Sequence, residues 1–269
     1  MNMQRSFSGD QHRAHTQKMS RCTNCEGLKV PPGLSEYLTG TVLPLFKHGH
    51  VAVELVRLSA RDVEFLQEVL PLISVRGLEV VLTEDQGDDL LAADFIQRAK
   101  ASGVVRLLGA SSNSLQALAQ NMPMRTQMTN VLASQSSWDA FLSAVHIQDS
   151  LVFNKCNLFV CSAFVLRHAL VQPALWGVSI LQDLEHVTDA HAQAFANAVR
   201  VSQSLRSLRL VGLHMSQEQR AYIIKSVREG ALLLSDFQID ADTSGALRVV
   251  QLRRETGELV ETLEGLSLT

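Results

Sequence analysis

In the segment SLRSLRLVGLHMS (204–216) the apolar residues Leu205, Leu208, Leu210 and Leu213 follow one another in steps of three, two and three. A regular strand steps by two and a helix by three and four, so this spacing predicts a bend into a short strand and a turn out of it. Leu208 and Leu210 then share one side of the strand, Leu205 sits at the entering bend, and Leu213 turns back over the same core. Similar strand-like runs recur from residue 51 onward, at 51–59, 77–84, 103–110, 127–134, 150–157, 175–182, 205–212 and 232–240. Helix-like stretches separate them, with apolar residues at three- and four-residue steps such as Leu91, Phe95 and Ala99, or Tyr222, Ile223 and Val227.

With Val53, Leu78, Val104, Met128, Leu151, Leu175, Leu205 and Leu234 taken as equivalent, the unit repeats every 23 to 30 residues. Most doubly wound βαβ units need about 30 residues or more, whereas a solenoid with one strand and one helix per turn fits a period in the twenties. A three-layer α/β domain with a parallel sheet is the competing fold, since it shows the same alternation.

The run Leu205-x-x-Leu208-x-Leu210 resembles the L-x-x-L-x-L signature of leucine-rich repeats. Other units echo it with Val53/Val56/Leu58, Val104/Leu107, Met128/Val131/Ala133, Leu175/Val178/Ile180 and Leu234/Phe237/Ile239. The resemblance covers roughly residues 50 to 240, and the helical returns are similar to the ribonuclease-inhibitor-like branch of that family. It implies an α/β solenoid with parallel strands on the concave face and helices on the convex face. The asparagine that follows the strand in the family is missing from most units, and Asn154 is expected in an interior apolar slot.

Three regions follow from the pattern. Residues 1–30 are polar and lack apolar periodicity, which predicts a disordered leader. Residues 31–245 form the repeat region, opened by an imperfect helix over LSEYLTGTVLPLFKHGH that covers one end of the core. Residues 246–269 alternate apolar and polar positions on both sides of Glu255-Thr256-Gly257, which predicts a capping hairpin. The leader resembles the unstructured secretion signals of bacterial type III effectors in its acid-poor, Ser- and Gln-containing composition. That likeness implies delivery into a host cell; without it the expected location is the cytoplasm.

Composition narrows the function classes. The chain is 46% hydrophobic and carries 24 basic against 27 acidic side chains, a balance that gives no electrostatic reason to expect nucleic acid as partner. No uncharged apolar run reaches the roughly 18 residues a membrane span requires. Cys22 and Cys25 form one close pair and Cys156 and Cys161 another. Together they would supply the ligand types of a zinc site, but the second pair reads as small buried hydrophobes, and no cofactor is expected. No G-x-S-x-G elbow or glycine-rich phosphate cradle is present. Glu185, His186, Asp189 and His191 are close enough in sequence to suggest a metal or hydrolytic centre, though their spacing matches no H-E-x-x-H pattern. A metal-dependent or hydrolytic enzyme on a three-layer fold is therefore the alternative to a non-enzymatic protein-binding module.

For the binding module, strand positions alternating with the core would point onto the concave face. This places Arg57, Glu84, Arg106, Phe153, Lys155, Arg209, Asp236 and Gln238 in a recognition strip for a protein partner. Ser59, Asn130, Ser179 and Ser207 lie between them. Arginine and aromatic residues dominate interface hot spots, which is the chemical reason for choosing this strip.

Overall fold

Eight short strands lie side by side in the order in which the chain makes them. The computed structural model describes residues 29–82, 86–146, 148–230, 233–240, 248–255 and 258–265. Strands β1 (His50–Glu54), β2 (Gly77–Val81), β3 (Val104–Leu108), β4 (Arg125–Thr129), β5 (Ser150–Asn154), β6 (Gly177–His186), β7 (Ser207–His214) and β8 (Asp236–Asp240) pair in parallel, each with the next. Strand β9 (Arg248–Glu255) adds antiparallel to β8, and β10 (Glu258–Gly265) antiparallel to β9, completing a ten-stranded open sheet.

Helices α1 (Ala60–Val69), α2 (Gln86–Ala99), α3 (Ser112–Gln120), α4 (Gln135–Ser143), α5 (Ala163–Leu170), α6 (Asp189–Val201) and α7 (Gln217–Gly230) occupy the connections, and each packs against the next. The strands show why one face is covered and the other is not. Along β1, β3, β4 and β5, buried residues alternate with partly or fully exposed ones, the signature of a half-buried sheet. Two ladders run the length of the covered face in exact parallel register. One is Val51, Leu78, Val105, Thr126, Leu151, Val178, Leu208 and Phe237; the other is Val53, Val80, Leu107, Met128, Phe153, Ile180, Leu210 and Ile239. No residue of either ladder is more than 2% exposed.

This register confirms Leu205, Leu208 and Leu210 as core residues and corrects several of the expected equivalences. Val53 and Met128 lie on the second ladder, Leu78 and Leu151 on the first, and Leu175, Leu205 and Leu234 precede their strands. Val104 belongs to the open face, as does Asn154, and Val56 is exposed. The fourth strand begins two residues earlier than its apolar run, because the ladder position there is filled by Thr126. Its hydroxyl accepts a hydrogen bond from the side-chain amide of Gln148, which is also fully buried, so a polar pair stands where other units carry apolar residues.

Three strands, β3 to β5, end in the same way, and Gly212 within β7 shares their backbone conformation. Gly109, Asn130, Lys155 and Gly212 all have positive φ, between 52° and 73°. The first three follow their strands directly, and each N–H donates to a carbonyl of the next strand: Gly109 to Thr129, Asn130 to Asn154 and Lys155 to Leu181, at 2.8–2.9 Å. The turn thereby adds one further rung to the parallel ladder while redirecting the chain toward its helix.

Polar side chains tie each unit to the next at the helix starts. Asp89 of α2 accepts hydrogen bonds from the N–H groups of Ser111 and Asn113 and from the Ser114 hydroxyl at the start of α3. Asp139 of α4 accepts from Ser162 N–H ahead of α5. Asp62 forms a capping box with Ser59 at the start of α1 and accepts from Ser35 N–H. Orphan N–H groups of helix first turns are satisfied in this way.

The expected first helix is a turn of π-helix (Leu38–Val42) followed by 3₁₀ turns (Leu43–His48), with Pro44 at its start. Leu38, Val42, Leu43 and Phe46 are buried against the β1 end of the core, and Glu54 N–H of the edge strand donates to the Tyr37 hydroxyl at 2.8 Å. The expected leader lies outside the described residues up to residue 28. Among the described residues no helix is long and apolar enough to cross a membrane.

The strand-end turns yield a test. Asparagine already occupies one of them at Asn130, and a Cβ at Gly109 would lie 3.1 Å from the Leu82 carbonyl oxygen, so Gly109→Asn is expected to cost about 1–2 kcal/mol. A Cβ at Gly212 would collide with the backbone carbonyl oxygen of Gln182, so Gly212→Asn is expected to cost about 3 kcal/mol or more. Urea denaturation of the two variants measures the difference.

Candidate interaction face

The open face is the part of the sheet that no helix covers, and alternation decides which side chains line it. Its middle row runs Ala52, Glu79, Arg106, Gln127, Val152, Ser179, Arg209 and Gln238 across β1 to β8. Towards the strand ends a second row contains Glu54, Val81, Leu108, Thr129, Asn154, Leu181 and Val211.

Four residues of the expected strip stand on this face. Arg106 is exposed, with Nη1 3.4 Å from Glu79 Oε2 and Nε donating to Gln127 Oε1 at 2.8 Å. Arg209 is exposed and bridges to Asp236 Oδ2 at 3.1 Å, the same oxygen that accepts from the Ser207 hydroxyl. Gln238 follows Arg209 in the middle row and is half-buried. Both arginines thus lie in cross-strand polar networks rather than standing alone.

The other four do not join that arrangement. Phe153 is a correction: it is 1% exposed, and its ring meets Trp138 edge-on with centroids 5.8 Å apart on the helix side. The open-face residue of that strand is Val152, because the strand begins at Ser150 and alternation puts Leu151 and Phe153 inward. Arg57 lies beyond β1 in a 3₁₀ turn (Leu55–Arg57), its guanidinium 4.1 Å from the Tyr37 ring centre and 3.4 Å from Glu54. Lys155 occupies the turn after β5 and is exposed at the rim. Glu84 lies outside the described residues.

Sequence reasoning missed the apolar content of the face. Val81, Val152, Leu181 and Val211 are half-buried and Leu108 is exposed, so an apolar band, broken by Thr129 and Asn154, runs through a polar surround. The signal was present: VVL at 80–82, LL at 107–108, LVF at 151–153, IL at 180–181 and LV at 210–211 interrupt strict alternation. Consecutive apolar residues in a strand mark apolar groups on both faces.

The four residues between 185 and 191 face different surroundings. His191 is buried with both ring nitrogens engaged, Nδ1 with the Thr188 hydroxyl at 2.7 Å and Nε2 with the Cys161 carbonyl at 2.9 Å. Asp189 is exposed and accepts from Gln219 Nε2. His186 is exposed, and its ring lies tilted against that of His214 of β7. Glu185 turns inward, where Oε1 accepts from Phe159 N–H at 3.3 Å and Oε2 is buried without a partner among the described residues. Among those residues no group of three or more His, Cys, Asp or Glu side chains is placed to hold a metal ion. Cys156 and Cys161 are buried, and burial pushes their thiols up to about 11 and about 12; Cys22 and Cys25 lie outside the described residues.

No family model matches the chain. No curated protein matches it either.

Glu185 generates a pH prediction. Burial pushes its carboxyl up to about 7, against the opposing hydrogen bond from Phe159 N–H. A carboxyl whose folded pKa lies above its unfolded value binds more protons when folded. Its contribution to stability is therefore greatest below the ordinary carboxylate range and falls as pH rises toward 7. Glu185→Gln removes the charge and keeps an acceptor for Phe159. It is expected to leave stability unchanged at pH 4 and to raise it at pH 8 by about 1–2 kcal/mol, allowing for partial solvation. Urea denaturation of both proteins at the two pH values checks this.

Proposed function

We propose that the chain is a leucine-rich-repeat-like solenoid, ribonuclease-inhibitor-like in its helical returns, that binds a protein partner on its open strand face and catalyses no reaction. The observation that carries this reading is the open face itself: a broad parallel-sheet surface with an apolar band set among cross-strand polar networks. Its concave curvature belongs to the proposal, since a small rotation at each unit bends such a stack toward its strand side.

The repeat assignment draws support from the register. Leu175/Val178/Ile180, Leu205/Leu208/Leu210 and Leu234/Phe237/Ile239 are buried at equivalent places with the L-x-x-L-x-L spacing. Along the second ladder, units recur every 21 to 30 residues, within or close to the family's range. Three residues after Phe153, Cys156 takes the position where that family carries asparagine or cysteine. Its thiol lies 3.6 Å from the carbonyl oxygen of Met128 in the preceding unit. The segment around Phe46 at one end and the β9–β10 hairpin at the other then serve as caps for a stack whose terminal cores would otherwise face water.

Binding would use both components of the face. The apolar band supplies area to remove from water, while Arg106 and Arg209 supply directional donors. An Arg106→Ala/Leu108→Ser/Arg209→Ala variant is expected to keep its circular dichroism spectrum and stability to within about 1 kcal/mol, because all three side chains are substantially exposed. Capture of the partner from a cell lysate is expected to fall at least about tenfold relative to wild type. Leu90→Ser, an exposed position on α2, is expected to leave capture unchanged. Equal capture by wild type and the triple variant would move the binding site off this face.

A further inference from the structure

Strands β1 to β5 and β8 each contain five residues, whereas β6 contains ten and β7 eight. The extra length of β6 and β7 forms a two-stranded extension beyond the regular ladder. A register shift between Leu181 and Glu185, opposite the left-handed Gly212, sets its pairing: Glu185 faces Leu213 and His186 faces His214. Leu213 is buried and His214 exposed, so the extension keeps one side inward and presents both imidazoles outward. Their ring centroids lie 4.2 Å apart with the planes at 59°. Among the described residues neither ring has a hydrogen-bond or ion-pair partner, in contrast to His191, whose nitrogens are both occupied.

We propose that His186 and His214 form a two-imidazole surface site for a divalent transition ion, with water completing the coordination. Imidazole suits copper, nickel and zinc alike, and a site that fixes only two ligands leaves the choice to the ions' own order of affinity, which puts Cu²⁺ first. The two histidines are 28 residues apart in the chain and meet only because adjacent strands extend together, so no local motif announces the site.

Calorimetric titration of CuCl₂, NiCl₂ and ZnCl₂ into the untagged 269-residue chain tests the assignment. One saturable site of about micromolar affinity is expected for Cu²⁺, with Ni²⁺ and Zn²⁺ weaker by about fivefold or more. His186→Gln and His214→Gln each abolish that site with the circular dichroism spectrum unchanged, while His48→Gln leaves it intact. Electron paramagnetic resonance of the Cu²⁺ complex is expected to show two equatorial nitrogen donors in wild type. A binding step that persists in either variant overturns the site, as does the absence of saturable binding. Ni²⁺ or Zn²⁺ binding more tightly than Cu²⁺ overturns the assignment of the ion.

Discussion

Parallel register between consecutive strands is the constraint on which the rest of this molecule depends. Side chains alternate across a strand, so a slip of one residue would exchange the buried ladders for the open face. In β7 such a slip would bring Arg209 under the helices and put Leu208 and Leu210 into water. Two features resist it. The ladders are continuous through eight strands, so a displaced strand loses its neighbours on both sides. The left-handed turns at Gly109, Asn130 and Lys155 then fix where three strands stop, because each donates an N–H to the next strand only in the observed register.

Polar groups set the spacing of the layer behind the sheet. Asp89 is 3% exposed yet accepts hydrogen bonds from four donors at the start of α3. Burial alone would raise its carboxyl; hydrogen bonds from Ser114, Ser111 and Asn113 outweigh that and hold it below the ordinary range. Asn157 plays a similar part between β4 and β5: its amide bonds both the N–H and the carbonyl of Ala133 at 2.9 Å, and its oxygen also accepts from the Trp138 indole. An apolar side chain at either place would strand buried backbone donors. These bonds make the units interdependent: the element that supplies a cap and the element that receives it lie in different units.

The sequence carried the alternation of strands and helices clearly and the alignment of units poorly. All eight parallel strands fall within or beside the apolar runs, because strands covered on one face keep a period of two. The frame between units was obscured by particular residues. Position three before each strand's first ladder residue holds Leu175, Leu205 and Leu234 in late units and Val75 ahead of β2, but His48, Ser102, Pro123 and Gln148 in the other early ones. Thr126 likewise hid the start of β4, since its hydroxyl is tolerable in the core only through Gln148, a partner 22 residues away. Aligning Leu151 with Leu205, which precedes its strand, turns Phe153 outward, whereas Leu151 is itself a ladder residue and Phe153 the next one. For the open face, Arg106, Arg209, Asp236 and Gln238 were legible from alternation alone. The apolar band required seeing consecutive apolar residues as two-faced, and the His186–His214 pair required a register shift that local spacing does not encode.

The same face explains why arginines alone would be poor anchors for a partner. Arg106 already meets Glu79 and Gln127, and Arg209 already meets Asp236. Exposed pairs of this kind contribute about 0–1 kcal/mol, so exchanging one for an intermolecular pair yields little net affinity. It does impose orientation, since the guanidinium fork must find matching acceptors. Net gain must come from groups that gain little by staying in water, which on this surface are Val81, Leu108, Val152, Leu181 and Val211. Burying roughly 200 Å² of such surface would contribute about 5 kcal/mol before the cost of association. In the proposed complex the apolar band therefore sets affinity, and the polar networks around it set which partner fits and in which direction it lies.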